Sequence, residues 1–112
     1  MSSLSTHVLD LAHGCPAEGV AVSLWQGPVL LFRGETNGDG RCPEMLGGQG
    51  LQPGRYRLNF AVAAYFAARG VALDDPPFLD DVSIDFGVAD GGGHYHVPLL
   101  VSPYGYSTYR GS

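Results

Sequence analysis

Turn-forming residues interrupt this chain so often that few folds remain open to it. Seventeen glycines and eight prolines stand among 112 residues, roughly twice the usual share. They fall between short runs rich in β-branched and aromatic residues. The glycines follow no three-residue period, and 45% of the residues are apolar, too many for a chain unable to bury a core. What remains is one domain, residues 1–112, built from short strands joined by many turns.

The runs can be placed. Leu4 to Leu11 reads as a strand that ends in the turn cluster His13-Gly14-Cys15-Pro16. Val20 to Trp25 and Val29 to Thr36 follow, then the turn Asn37-Gly38-Asp39-Gly40, whose residues tolerate positive φ and bond their own backbone. Pro43 to Gly50 reads as loop or short strand, and Arg55 to Phe60 alternates polar with apolar residues. Ala61 to Arg69 is alanine-rich, spaces Val62 and Phe66 four apart and precedes Gly70; it predicts the one helix. Asp74 to Asp81 is a solvated loop. Val82 to Val88 is a strand with Val82, Ile84, Phe86 and Val88 on one face. His94 to Ser102 is a long strand, and Tyr106 to Arg110 the last. About eight strands and one short helix predict an all-β, antiparallel β-sandwich.

Charge narrows the function. The net charge is −5, and all six cations are arginine. An electrostatic nucleic-acid footprint is therefore excluded, and each arginine gains interest as a planar fork for paired oxygens. Charged residues are only 15%, which leaves apolar surface for a partner subunit to cover. The longest apolar run, Ala61 to Ala68, is too short to span a membrane. Neither a secretory leader nor a peroxisomal address is visible at the termini, and Cys15 and Cys42 read as free thiols. A cytoplasmic protein is expected.

Several side chains could carry chemistry. His7 lies within the first strand. His94 and His96 share one face of a later strand, opposite Tyr95, Val97, Leu99 and Val101, which look like core. The histidine pair reads as solvent-exposed, as part of a metal site short of a third ligand, or as acid–base machinery. Arg41 closes the Asn-Gly-Asp-Gly turn, either as a solvated charge beside Asp39 or as a fork held for an oxygen-rich ligand. The tail carries Tyr104, Tyr106 and Tyr109 and stops at Ser112, so it is either put to use or merely short. Asp90-Gly91-Gly92-Gly93 precedes no helix and makes a poor phosphate cradle. Asp74, Asp75, Asp80 and Asp81 lack calcium-loop spacing.

Taken in order, the segments Ser5-Thr6-His7-Val8-Leu9-Asp10, Gly14-Cys15-Pro16-Ala17, Thr36-Asn37-Gly38-Asp39-Gly40-Arg41, Ala64-Tyr65-Phe66, His94 to Pro103 and Tyr109-Arg110-Gly111-Ser112 resemble the transthyretin-like 5-hydroxyisourate hydrolases. The resemblance spans essentially the whole chain, and its terminal Tyr-Arg-Gly-Ser separates these enzymes from hormone-carrying transthyretins. It implies a transthyretin-type sandwich, assembled as a homotetramer of two dimers with sites in the channel between them. It implies His7, Arg41, His96 and Ser112 as catalytic residues, with His7, Arg41 and Tyr109 binding substrate. No cofactor and no metal are implied, and no role passes to His94. Gly38 and the Arg41-Cys42-Pro43 continuation depart mildly from the family pattern without altering a functional side chain.

The implied reaction is hydrolytic ring opening of 5-hydroxyisourate to a ureido-imidazoline carboxylate in urate breakdown. His7 or His96 would be the base, the other orienting water or protonating the leaving nitrogen. Arg41 would hold developing negative charge, and Ser112 would orient a histidine or the water. Two other readings are a non-catalytic carrier of a small aromatic ligand in the tetramer channel and a structural sandwich module.

Overall fold

The computed structural model describes residues 2–45 and 50–111. The elements run β1 (Ser2–Asp10), β2 (Cys15–Pro16), β3 (Ala21–Gln26), β4 (Val29–Glu35), β5 (Gly54–Phe60), α1 (Val62–Ala68), β6 (Val82–Val88), β7 (Gly93–Ser102) and β8 (Gly105–Thr108). They form two four-stranded sheets, ordered β2-β1-β7-β8 and β4-β3-β5-β6. The sandwich follows from period-two burial. In β1 the side chains of Ser2, Leu4, Thr6, Val8 and Asp10 are buried, whereas Ser3, Ser5, His7 and Leu9 face outward. In β7 Tyr95, Val97, Leu99 and Val101 are buried as expected.

Between the sheets lie Val8, Leu24, Leu58, Phe60, Leu99 and Val101, all fully out of water. Each such apolar side chain contributes roughly 1.5–3 kcal/mol by leaving solvent. The helix adds Val62, Tyr65 and Phe66 to this core. It ends in a Schellman turn: Val71 N–H donates to Phe66 O, Gly70 N–H to Ala67 O, and Gly70 takes φ +81°.

Five of the six strand pairings are antiparallel, but β1 pairs with β7 in parallel, Ser5 opposite His96 and Ser3 opposite His94. No tight hairpin joins these two strands, so nothing local dictates their relative direction. Cys15 and Pro16, expected within a turn, form β2 and pair with Asp10 and Leu9. The last strand is Gly105–Thr108 rather than 106–110. In the stretch read as loop or short strand, 43–45 form a turn, while 46–49 lie outside the described residues. Among the described residues, no helix is long and apolar enough to cross a membrane.

Candidate active site

The parallel β1–β7 pairing builds the site. Registered side by side, the two strands project Ser3, Ser5 and His7 from the same outward face as His94 and His96. Alternation along β1 fixes His7 there, because a one-residue slip would drive it into the core in place of Val8.

Arg41 reaches this face on a turn made rigid by its own hydrogen bonds. Asn37 Oδ1 accepts from Asp39 N–H at 2.9 Å and from Arg41 N–H at 3.1 Å. Asn37 N–H donates to Arg41 O at 2.8 Å, and Gly40 N–H to Asn37 O at 2.9 Å. Buried Thr36 anchors the turn's base, accepting from Val20 N–H and donating to Ala17 O. Gly40 O in turn accepts from Val8 N–H at 2.8 Å, pinning the turn to β1 beside His7. Only glycine suits position 40: φ is +74°, and a Cβ would sit 2.4 Å from Val8 O and 3.3 Å from His7 Cδ2.

The electrostatics are those of two bases kept neutral beside a cation. Burial lowers the pKa of His7 below the ordinary 6.5, the Arg41 charge lowers it further, and a hydrogen bond to Asp39 O opposes this. Burial, then the charges of Arg41, His7 and His94, lower His96, against a hydrogen bond to Ser5 O. The three side chains, drawn from segments far apart in sequence, thus lie within one another's electrostatic reach. Arg41 is exposed and makes no ion pair with Asp39; the ion pairs among the described residues are Asp10–His13 and Arg57–Asp85.

The tail runs back alongside β7 at His96. Gly111 N–H donates to His96 O at 2.8 Å, and a Cβ at Gly111 would lie 2.4 Å from His96 Cδ2. Arg110 stacks its guanidinium 4.0 Å from the Tyr95 ring centroid and donates to His94 O. Ser112 lies outside the described residues. Tyr109 is exposed and lines, with Phe86, Tyr95 and Arg110, a groove of about 410 Å³ between the open edges of the two sheets. Among the described residues, no group of three or more His, Cys, Asp or Glu side chains could hold a metal ion.

Sequence reasoning missed two groups. Ser3 and Ser5 hydrogen-bond to the histidine pair, and only the parallel register reveals them. A second cluster joins buried Asp10 to Tyr65 OH at 2.7 Å and His13 Nδ1 at 2.6 Å. Its available signal was the Asp-x-x-His spacing, in which His13 N–H also caps Asp10 Oδ1.

A two-sheet sandwich that carries His7, His96 and Arg41 together on the outward β1–β7 face defines a transthyretin-like protein. A profile of the HIUase/Transthyretin family matches residues 4–111, and the chain belongs to that family. It is 54% identical to a 5-hydroxyisourate hydrolase of Ralstonia nicotianae over 119 residues, covering 100% of both chains. A solved 5-hydroxyisourate hydrolase of Klebsiella pneumoniae superposes with a TM-score of 0.88 at 42% identity and full coverage of both. A transthyretin of Sparus aurata gives a TM-score of 0.84 at 27% identity, covering 99% of this chain and 97% of its own.

Proposed function

We propose that the chain hydrolyses 5-hydroxyisourate, adding water to a ring carbonyl so that the adjacent C–N bond breaks. The product is 5-hydroxy-2-oxo-4-ureido-2,5-dihydro-1H-imidazole-5-carboxylate, which places the activity in urate catabolism. The observation that carries the reading is the convergence of His7, Arg41 and His96 on one outward face, with both imidazoles biased toward their neutral form.

Attacking water must shed a proton as its oxygen bonds to carbon. A neutral imidazole can take it, a step worth ~10²–10⁴-fold. The leaving ring nitrogen must gain a proton, which the second histidine can supply from one ring nitrogen as it takes up another from solvent on the other. We assign these two tasks to His7 and His96. The flat, oxygen-rich substrate suits the Arg41 fork, which binds two acceptors together and stabilises the oxyanion as it forms. In this proposal Ser112 orients water or an imidazole, and Tyr109 contacts the substrate.

Within one chain Tyr109 lines the groove between the sheet edges, so its contact with substrate is supported best by an assembly. We propose four copies arranged as two dimers, with sites where the dimers meet. The free thiols of Cys15 and Cys42 support a reducing, cytoplasmic setting.

The deciding experiment mixes the protein with freshly generated 5-hydroxyisourate and follows its ultraviolet absorbance. Hydrolysis predicts decay well above the buffer rate and proportional to enzyme. Tight binding with decay at the buffer rate would instead assign the chain as a carrier.

A further inference from the structure

The outward face of β1 and β7 carries more than the proposed hydrolysis uses. Ser3 Oγ lies 2.6 Å from His94 Nδ1, His94 Nε2 lies 2.9 Å from Ser5 Oγ, and Ser5 Oγ lies 2.8 Å from His96 Nδ1. The two imidazoles are nearly parallel, 12° apart with centroids 6.5 Å from each other. Ser3, His94, Ser5 and His96 therefore form one unbroken hydrogen-bonded row, running from the exposed ends at Ser3 and His94 to half-buried His96.

We propose that this row is a proton relay in which Ser5 and His94 act as positioning residues for His96, coupling its tautomer to theirs and returning its proton to solvent. The proposal rests on the hydrolytic reading above and extends it to residues that the family resemblance left without a role.

The hydroxyl inventory supports a directional row. Ser5 Oγ has a single proton and two imidazole partners, so it donates to one and accepts from the other. Two self-consistent arrangements follow. In one, His96 Nδ1–H donates to Ser5, Ser5 to His94 Nε2, and His94 Nδ1–H to Ser3, which leaves the lone pair of His96 on Nε2 as a base. In the other, every proton has moved one bond along the row. When His96 Nε2 takes a proton from water, Nδ1 passes one to Ser5, Ser5 passes its own to His94 Nε2, and His94 Nδ1 releases one toward Ser3 and bulk solvent. One proton enters, one leaves, and both imidazoles end neutral. Because burial and the Arg41 charge oppose a charged His96, passing the proton on is favoured over storing it. Folding alone explains little here, since Ser3 and His94 are exposed and exposed hydrogen bonds add little stability.

The test compares wild type, Ser5→Ala, Ser5→Thr and His94→Gln in the absorbance assay, together with imidazole ¹⁵N spectra of His96. Ser5→Ala is expected to lower kcat about 10-fold or more, a modest part of the effect of a placed base, with KM little changed. Ser5→Thr should restore most of it. His94→Gln keeps a partner for Ser5 but cannot pass the proton, so its kcat should fall and then climb as imidazole buffer is added. The His96 tautomer balance should shift in Ser5→Ala and return in Ser5→Thr. If Ser5→Ala does not assemble, His94→Gln carries the test, because exposed His94 has no place in the core. An active wild type matched in kcat by both Ser5→Ala and His94→Gln overturns the relay alone. A wild type inactive in the same assay overturns the hydrolytic reading and the relay with it.

Discussion

A single carbon added at Gly111 would fall 2.4 Å from His96 Cδ2 and 3.1 Å from Cγ, closer than real Cβ contacts come. Either the imidazole or the tail must move. Gly111→Ala is therefore expected to cut kcat by up to about 10²-fold, the scale on which small misplacements of a catalytic group act, while the thermal midpoint stays near that of wild type. Replacing His96 with Asn removes the ionisable group itself. That variant should keep its assembly and lose ~10²–10⁴-fold in turnover; unchanged turnover would take His96 out of the mechanism. The lowered pKa values of His7 and His96 set the pH response. Both stay neutral below the ordinary 6.5, so kcat/KM should be flat at neutrality and fall only at pH under 6.5. An acid limb centred above that value contradicts the assignment. Stability moves in the same direction. As pH drops past 6.5 the denatured chain takes up protons first, so the fold weakens from there until the pH lies below the folded-state values. Urea midpoints at pH 7.5 and 5.5 measure this, and the dependence should shrink in a His7→Asn, His96→Asn double variant.

At the scale of elements, the end of β1 is tied to α1 by a buried acid. Burial alone would raise the pKa of Asp10, but hydrogen bonds from Tyr65 and His13 outweigh it and leave the carboxyl lowered. Burial and the Asp10 carboxylate push the Tyr65 hydroxyl up to about 12. Tyr65→Phe leaves the carboxylate short of a donor and should cost about 1–3 kcal/mol, read as a lower denaturation midpoint with kcat at 25 °C unchanged. The Asp10 contribution is complete above the ordinary 3.8 and disappears as pH falls through its lowered folded value. Asp10 also shows where sequence reading runs out. Alternation placed Tyr95, Val97, Leu99 and Val101 inside and His94 and His96 outside, because period two is a local property. Gly70 marked the helix end for the same reason. The parallel β1–β7 register is a long-range property, however, and without it Ser5 cannot be seen between two histidines some ninety residues away; Asp10 beneath Tyr65 depends likewise on the long-range packing of α1 on the end of β1. The Cys15–Pro16 strand was hidden by its turn residues, which pair with β1 only once that strand is in place. Motif order suggested His7, Arg41 and His96 as a set, but not the face they share, since the Gly40–Val8 bond that brings Arg41 to β1 crosses between separate segments.

For the whole molecule, the surface of one chain points to a site shared between copies. Strands β6 and β8 are sheet edges, and exposed edges are routinely paired or covered. Beside them the surface carries Tyr104, Tyr106 and Tyr109, all exposed, and Tyr109 is 59% accessible. So much aromatic area on a chain with few charges favours burial against further copies. Native mass spectrometry at micromolar concentration should show four chains. Dilution provides the functional test. Where two dimers must meet to complete a site, dilution into the dissociating range should lower the activity per chain, and added inactive His96→Asn protein should restore part of it by mixed assembly. Dialysis against a strong chelator should leave the rate unchanged at every concentration, because the proposed chemistry needs only imidazole, guanidinium and water. Activity per chain that stays constant while native spectra pass from four chains to one would show each site complete in a single copy, and Tyr109 would then have to reach the substrate from its own β8 edge.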